Sequence, residues 1–475
     1  ERVSKRVGFL YTKRDKALLV NNAVRVLERE RPIIHSDVLL DEMRHFLTIG
    51  LDEWGASPGH YDDCLQRGTL VKTRCGYVPI EEVHIGDFVL THRGRYCRVR
   101  QIIEKPMEGL FYTLKFSNQI PLSLSYNHPL YATRRGIRKQ FDERYWRLPG
   151  AFRPHDRGIT IVESLAAAPA PFKIFDDEFF APSRYVTRKT LNELTINAEF
   201  AFFLGRFLAD GHRKKNYKHA TWTLQLAFHR NDHDIDWFAS YVKKLGISVS
   251  RQDIKGTNAT SLTFSSRLLW RICNECYDRD GNKQLPARML QLGAWLSETL
   301  RGWLTGDGWR LPDNSGWVGA STSKRLALTM RDIALSCGKR VGFQTRECRR
   351  YFTPTRRQWW VYVYDTVAQA ARSRMVSEFE LASTLRAIEV ANFSGVVYNL
   401  EVDDDESFIA DGLVVHNCVN AWALALMGAT DEGRRGAPDV KKVVEPLREK
   451  CYYHDVDEDL MGGMNESGDF AARFK

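Results

Sequence analysis

Two periods of hydrophobic spacing divide this chain. From Cys64 to about Arg134 the apolar positions fall in short runs broken by Gly or polar residues. TLVKT (69–73), DFVLTH (87–92), YCRVRQIIEK (96–105), FYTLKF (111–116) and PLSLSY (121–126) each predict a β-strand. Residues 150–190 read as loop, with AAAPAPF (166–172) a linker. The period then lengthens. INAEFAFFLGRFLADG carries Ile196, Phe200, Phe203, Leu204, Phe207 and Leu208 on one broad helical face, and QLGAWLSETLRGWLTGDG predicts a second helix. Between and after them come strand signals such as ATWTLQLAF, ATSLTFS and the aromatic WWVYVY (359–364). β texture returns in GVVYNLEVDD and SFIADGLVVHN, with Asp411–Gly412 a hairpin turn. The flanks differ from this middle. Residues 1–63 read as α/β, with GFLYT and ALLV as strands, a helix beginning at Val38–Phe46 and a turn-rich GASPGHYDD (55–63). After Asn417 a helical CVNAWALALMG opens a charged tail.

Composition narrows the class. The 475 residues suit several domains, 27% charged residues suit a globular chain, and no apolar run approaches the length of a membrane span. Nine Cys, odd and scattered, argue against a disulfide scaffold. The start, ERVSKRVGF, has no signal-peptide core and reads as a piece of a longer product. The net charge of +10 favours an anionic partner, and its distribution says more. Residues 64–417 hold 51 Lys and Arg against 37 Asp and Glu, whereas the flanks hold 18 against 22. The basic charge therefore belongs to the middle.

The two apolar helices end alike. LGRFLADG closes on Asp210–Gly211 and LRGWLTGDG on Asp307–Gly308, with Gly205 and Gly302 each five residues before the Asp. Glycines there let two helices cross closely and bring the carboxylates together, an arrangement suited to a divalent metal whose other sites water and phosphate oxygens fill. The bland alternative is a pair of core helices ending in Asp–Gly turns. HRKKNYKH (212–219) and RECRRYFTPTRRQWW (346–360) follow the two acids and supply phosphate contacts beside strands able to read base edges.

The borders of the β texture carry a second chemistry. Cys64 opens it, and Asn417 closes it immediately before Cys418. A thiol can convert the preceding amide to a thioester, a second thiol can take over the acyl group, and an Asn side chain can cyclise and cut the chain. His128 in SLSYNHPLY and His416 before the Asn are placed to move protons or polarise carbonyls.

Together these motifs resemble an intein with an embedded LAGLIDADG homing endonuclease, over 354 residues, 64–417. CLQRGTLVKT…GYVPIEEVHIGDFVLTH resembles the N-terminal splicing block. LSYNHPL resembles the block with the assisting His, with Ser125 where Thr is usual and Asn127 beside His128. LGRFLADG and LRGWLTGDG resemble the two endonuclease signatures, and NKQLPARML the Lys block between them, making Lys283 a candidate catalytic lysine. VVYNLEVDDDESFIADGLVVHN followed by Cys resembles the C-terminal splicing blocks. One departure is Glu406, which stands where the family commonly has a His assisting the Asn step.

The resemblance implies a multidomain chain: an all-β, horseshoe-like splicing (Hint) fold in 64–175 and 392–417, with an inserted α+β endonuclease in 190–385. It implies that Cys64, Ser125, Asn127, His128, His416, Asn417 and Cys418 carry splicing without a cofactor. Asp210 and Asp307 would bind Mg²⁺, aided by Lys283, and cut double-stranded DNA as a monomer with pseudo-twofold symmetry. It places the protein in the cytoplasm of a prokaryotic or phage-infected cell, with no membrane partner. The flanks, 1–63 and 418–475, resemble fragments of an α/β RNase H-like domain, the nuclease of a phage terminase large subunit. SPGHYDD joined to CVNAWALALMG carries that likeness, with Asp62 and Asp63 as candidate metal ligands and Tyr61 as a departure. Two alternatives are a hedgehog-type self-cleaving protein that does not ligate, and a splicing element whose endonuclease has decayed to DNA binding. Cys273 and Cys276 (CNEC) have no second matching pair and read as ordinary thiols rather than a zinc site.

Overall fold

The computed structural model describes residues 46–50, 53–56, 64–126, 128–134, 144–178, 191–216, 221–350, 353–365 and 373–416. The chain divides into two compact units. One comprises 1–62, 145–147 and 419–475; the other comprises 63–144 and 148–418. In the first, Phe46–Gly50 and Glu53–Ala56 form an antiparallel pair, so Phe46 starts a strand and Gly55–Ala56 belong to one rather than to a loop. The strands expected at 8–12 and 17–20, the helix at 418–428, Asp62 and Asp63 lie outside the described residues. No RNase H-like domain is indicated among the described ones.

The second unit joins a closed β structure to a duplicated α/β structure. The antiparallel β path runs through strands 130–134, 156–161, 380–402, 65–66, 122–125, 96–116, 88–90, 70–73, 407–410 and 413–416. Val415 then pairs with Leu130, so the path closes on itself. Two departures from the expected elements follow from this pairing. Tyr96–Phe116 is one strand, not two, because Glu380–Val402 pairs along it, with Pro106 opposite Val396 and Gly109 opposite Phe393. The partner strand holds the backbone extended through a PMEG stretch that in isolation signals a break. Asp156–Ile161, expected as loop, is a buried strand between 130–134 and 380–402. Its sequence DRGITI does not alternate, since both faces are covered. The strand 380–402 also runs unbroken through residues 385 and 392, which the resemblance puts at the edges of the insert.

The α/β part contains two halves of the same order. Each begins with an acid-ended helix, Ala198–Asp210 or Leu296–Asp307. Each continues into a four-stranded antiparallel sheet in the order first, second, fourth, third: 211–216, 221–229, 259–265, 249–253, and 308–310, 316–321, 353–364, 340–350. A helix, Ile235–Lys244 or Lys324–Ser336, links the second and third strands of each sheet. Ile196 belongs to a preceding strand, and Asn197 caps the first helix by accepting the Phe200 N–H at 3.0 Å. Phe200 to Leu208 are buried around the whole circumference, so the helix is central rather than one-faced.

The two acidic helices touch backbone to backbone. A Cβ on Gly205 would fall 2.0 Å from the Thr299 carbonyl oxygen, and one on Gly302 would fall 2.3 Å from that of Phe202. Any side chain at either position would force the helices apart.

Both parts share one hydrophobic core, to which Leu70, Tyr77, Ile120 and Leu381 of the β structure belong together with residues of the α/β part. Polar contacts reinforce the junction at helix Lys324–Ser336. Asp332 accepts from Lys72 Nζ at 3.1 Å and from the Tyr77 hydroxyl at 2.8 Å, beside the buried Arg331, and Lys324 Nζ donates to Asp411 at 2.7 Å. Among the described residues, no helix is long and apolar enough to cross a membrane.

Candidate functional site

Closure of the β path brings Cys64 and His416 to one corner. Leu65 pairs with Leu124, which sets Cys64 against Ser125. The Cys64 N–H donates to Ser125 Oγ at 2.9 Å, and the Ser125 N–H donates to the Cys64 carbonyl at 3.0 Å. At the other end, the His416 N–H donates to the Pro129 carbonyl at 3.0 Å. Three residues, His128 to Leu130, therefore join the two ends. Cys64 is fully buried against Phe111 and Val397, with Met107 and Phe393 packed around them.

His128 is fully buried at this corner, beside the backbone of His416 and of Cys64. Burial pushes its pKa down to about 3, His416 beside it acts in the same direction, and the backbone of His416 and of Cys64 opposes weakly. The imidazole is thus neutral at physiological pH. Asn127, Asn417 and Cys418 lie outside the described residues.

The C-terminal hairpin is built as its sequence signals. Asp411 and Gly412 have φ of 49° and 85°, the left-handed pair of a two-residue turn. Leu70 secures the turn by donating its N–H to Asp411 Oδ1 at 3.0 Å and accepting the Asp411 N–H at 2.8 Å. Glu406 has φ of 49°, and burial first, then Glu401, raises its pKa. Sequence reasoning did not find what lies beside it. Asp405 receives Thr91 Oγ1 at 2.6 Å and Arg95 Nε at 2.8 Å, and His92 Nδ1 lies 2.7 Å from Ser407 Oγ. A THR stretch far away in sequence gives no sign of that contact.

The second candidate site lies where the acidic helices end. Asp210 and Asp307 are both half-buried. Burial first, then the charge of Asp210, raises the Asp307 pKa to about 7. Burial raises that of Asp210, with Asp232 adding to it and Arg206 and Lys283 opposing. Arg206, 2% exposed, donates to Asp232 at 2.6 Å and to the Thr305 carbonyl, and lies 3.4 Å from Asp210. Lys283 Nζ donates to the carbonyls of Phe207 at 2.6 Å and Gly211 at 2.7 Å, neutralising the negative end of the first acidic helix. Burial lowers its pKa. Sequence reasoning therefore found Asp210, Asp307 and Lys283 as a group and missed Arg206 and Asp232. Two carboxylates that burial makes reluctant to hold charge fit a divalent cation, which would remove that penalty. Among the described residues no third His, Cys, Asp or Glu completes a metal-binding group with them.

Each sheet presents a polar face opposite the core. In the first, Gln225 Nε2 donates to Ser261 Oγ at 2.8 Å, and Thr223 and Ser265 pair alongside. In the second, Arg346 stacks 4.0 Å from the Trp360 ring and lies beside Gln344 and Tyr362. Gln and Arg in such positions are base-edge readers by type. Cys273 and Cys276 are fully buried core thiols.

A family model described as Hint domain matches residues 63–122. The uncharacterized protein MJ0043 of Methanocaldococcus jannaschii is 23% identical over 423 residues, covering 77% of this chain and 51% of that protein. The iron–sulfur cluster assembly SufBD family protein Rv1461 of Mycobacterium tuberculosis is 24% identical, covering 78% of this chain and 44% of that protein. The ATP-dependent DNA helicase Hel308 of Thermococcus kodakarensis is 22% identical, covering 74% and 36%. The chain spans about half or less of the length of these relatives. Among solved structures, the homing endonuclease I-DmoI in complex with DNA and Ca is 14% identical, covering 35% of this chain and 82% of that one, with a TM-score of 0.26. The homing endonuclease I-WcaI bound to its DNA recognition sequence covers 37% and 77% at 12% identity and the same TM-score of 0.26. The β structure is Hint-like over the matched residues.

Proposed function

We propose that residues 64–417 are a self-splicing element carrying a metal-dependent DNA endonuclease. The observation that carries the splicing reading is the corner at Ser125–Leu130, where a buried Cys64, a buried neutral His128 and the strand ending in His416 converge. In the first step Cys64 Sγ attacks the Asp63 carbonyl carbon. The bond to the Cys64 nitrogen breaks, and that nitrogen takes up a proton with help from His128. Cys418 Sγ then takes over the acyl group. Asn417 cyclises to a succinimide and releases the element, and an S-to-N shift joins Asp63 to Cys418.

The relatives' names fit a mobile segment. An iron–sulfur assembly family protein and a DNA helicase have unrelated printed functions, yet each aligns with about three-quarters of this chain. Residues 64–417 are the same share of the sequence.

For the endonuclease, Asp210 and Asp307 would hold Mg²⁺, which supplies charge for the scissile phosphate and an activated water. Lys283 and Arg206 position the carboxylates, and the two polar sheet faces bind one asymmetric double-stranded DNA site as a monomer. The flanks are read as the nuclease part of a phage terminase large subunit on SPGHYDD and CVNAWALALMG, with Asp62 and Asp63 as its metal ligands.

Hydroxylamine trapping tests the first step. An Asn417→Ala chain treated with hydroxylamine releases residues 1–63, and Cys64→Ala in addition abolishes that release. Release that persists without Cys64 contradicts the mechanism. For the nuclease, a library of random duplexes incubated with the chain and Mg²⁺ yields a cut sequence, and Asp210→Asn or Asp307→Asn removes cutting.

A further inference from the structure

Glu406 stands where the family that the sequence resembles commonly has a His assisting the Asn step. A different histidine reaches the same place. His92 lies just after strand Phe88–Leu90, and two contacts bind it to Ser407. Its N–H donates to Ser407 Oγ at 3.1 Å, and its Nδ1 lies 2.7 Å from that same oxygen. Ser407 Oγ accepts from the backbone, and in the Nε2-protonated tautomer of the neutral imidazole its hydroxyl donates to Nδ1. Ser407 is fully buried, and Asp405, fixed by Thr91 and Arg95, anchors the turn before it.

Ser407 is also the cross-strand partner of His416 in the C-terminal hairpin. Directly opposed residues in an antiparallel pair share a face, with Cβ atoms about 4.5–5.5 Å apart. His416 is covalently next to Asn417 and electrostatically coupled to His128. His92 thus contacts Ser407, and Ser407 lies across the hairpin from His416, the residue before Asn417 in sequence.

We infer that His92, acting through Ser407, is the positioning residue of the C-terminal cleavage step and takes over the task of the absent histidine at position 406. This rests on the splicing reading. In the step itself, Asn417 Nδ2 forms a bond to its own carbonyl carbon and loses a proton. The bond from that carbon to the Cys418 nitrogen breaks, and that nitrogen gains a proton, so the exchange balances. His416 moves the proton, and the neutral His92–Ser407 pair holds His416 in place to do so.

The surroundings of His92 set the expected pH response. Burial lowers its pKa, Asp405 and Glu380 favour the charged form, Arg93 and Arg95 oppose it, and the Tyr131 ring lies 5.3 Å away. Protonation at low pH removes the acceptor at Nδ1. Cleavage therefore slows on the acid side, below the ordinary histidine range.

The test uses the full chain with Cys64→Ala, in which C-terminal cleavage runs alone, and the full chain with Asn417→Ala, in which hydroxylamine reads the thioester alone. His92→Gln and Ser407→Ala are introduced into each, and rates are followed from pH 5 to pH 9. The expected result is about a tenfold or greater loss of C-terminal cleavage, a change in its acid limb, and thioester trapping within about twofold of the parent. A His92→Gln chain with the parental rate and pH profile overturns the inference, as does equal loss of both cleavages. If the parent chains give neither cleavage, the splicing reading itself fails.

Discussion

Cys64 and Ser125 hold each other by two reciprocal hydrogen bonds, from the Cys64 N–H to Ser125 Oγ at 2.9 Å and from the Ser125 N–H to the Cys64 carbonyl at 3.0 Å. The proposed scissile nitrogen is thereby fixed by a hydroxyl, which either Ser or Thr supplies. Ser125→Ala leaves a buried N–H without its partner, at a cost of about 1–3 kcal/mol. Hydroxylamine-driven release of residues 1–63 should slow by about tenfold or more in Ser125→Ala, and Ser125→Thr should restore it. Equal rates in Ser125→Ala and the parent would show that the contact has no part in thioester formation.

His128 predicts a pH dependence of stability. Its folded pKa of about 3 lies below the ordinary value of 6.5, so the unfolded chain binds the proton more tightly. Its contribution is complete above about pH 6.5 and is lost as pH falls toward 3. Urea unfolding at pH 7 and pH 5 should show a stability loss that shrinks by roughly 1–2 kcal/mol in His128→Gln. An unchanged pH slope in that variant contradicts the assignment.

Asp307 behaves in the opposite sense. Its folded pKa of about 7 lies above the ordinary 3.8, so the folded chain holds the proton and loses stability as pH rises from about 4 through 7. Asp307→Asn should therefore raise the melting temperature at pH 8 in the absence of metal. Mg²⁺ binding at pH 7 should release protons, seen as a binding enthalpy that varies with the ionisation enthalpy of the buffer. Binding without proton release would contradict the raised pKa of Asp307.

Gly205 tests the helix crossing. A methyl there meets the Thr299 carbonyl oxygen at 2.0 Å, so the acidic helices must separate. Gly205→Ala should destabilise the chain by about 1–3 kcal/mol or more and abolish DNA cutting. Wild-type cutting by Gly205→Ala would contradict the close crossing.

The parts of this molecule legible in its sequence are those with a local signature. Asp411–Gly412 demands left-handed backbone and received a hairpin. The matched Gly–Asp spacings of the two helices announced their crossing and the meeting of their carboxylates. What stayed hidden depends on partners far away in the chain. Residues 106–109 look like a strand break until 393–396 pair with them. The strand 156–161 lacks alternation because it is covered on both faces. His92, Arg206 and Asp332 gain their meaning only from Ser407, Asp232 and Lys72, which no spacing in the sequence links to them.

The most direct test of the account is the intact mass of the full chain after expression and incubation. The account predicts loss of residues 64–417, a product in which Asp63 is joined to Cys418, and a free element ending in a succinimide. Asn417→Ala should hold the chain together. A full-length wild-type chain that stays unchanged under the same conditions would contradict the central claim.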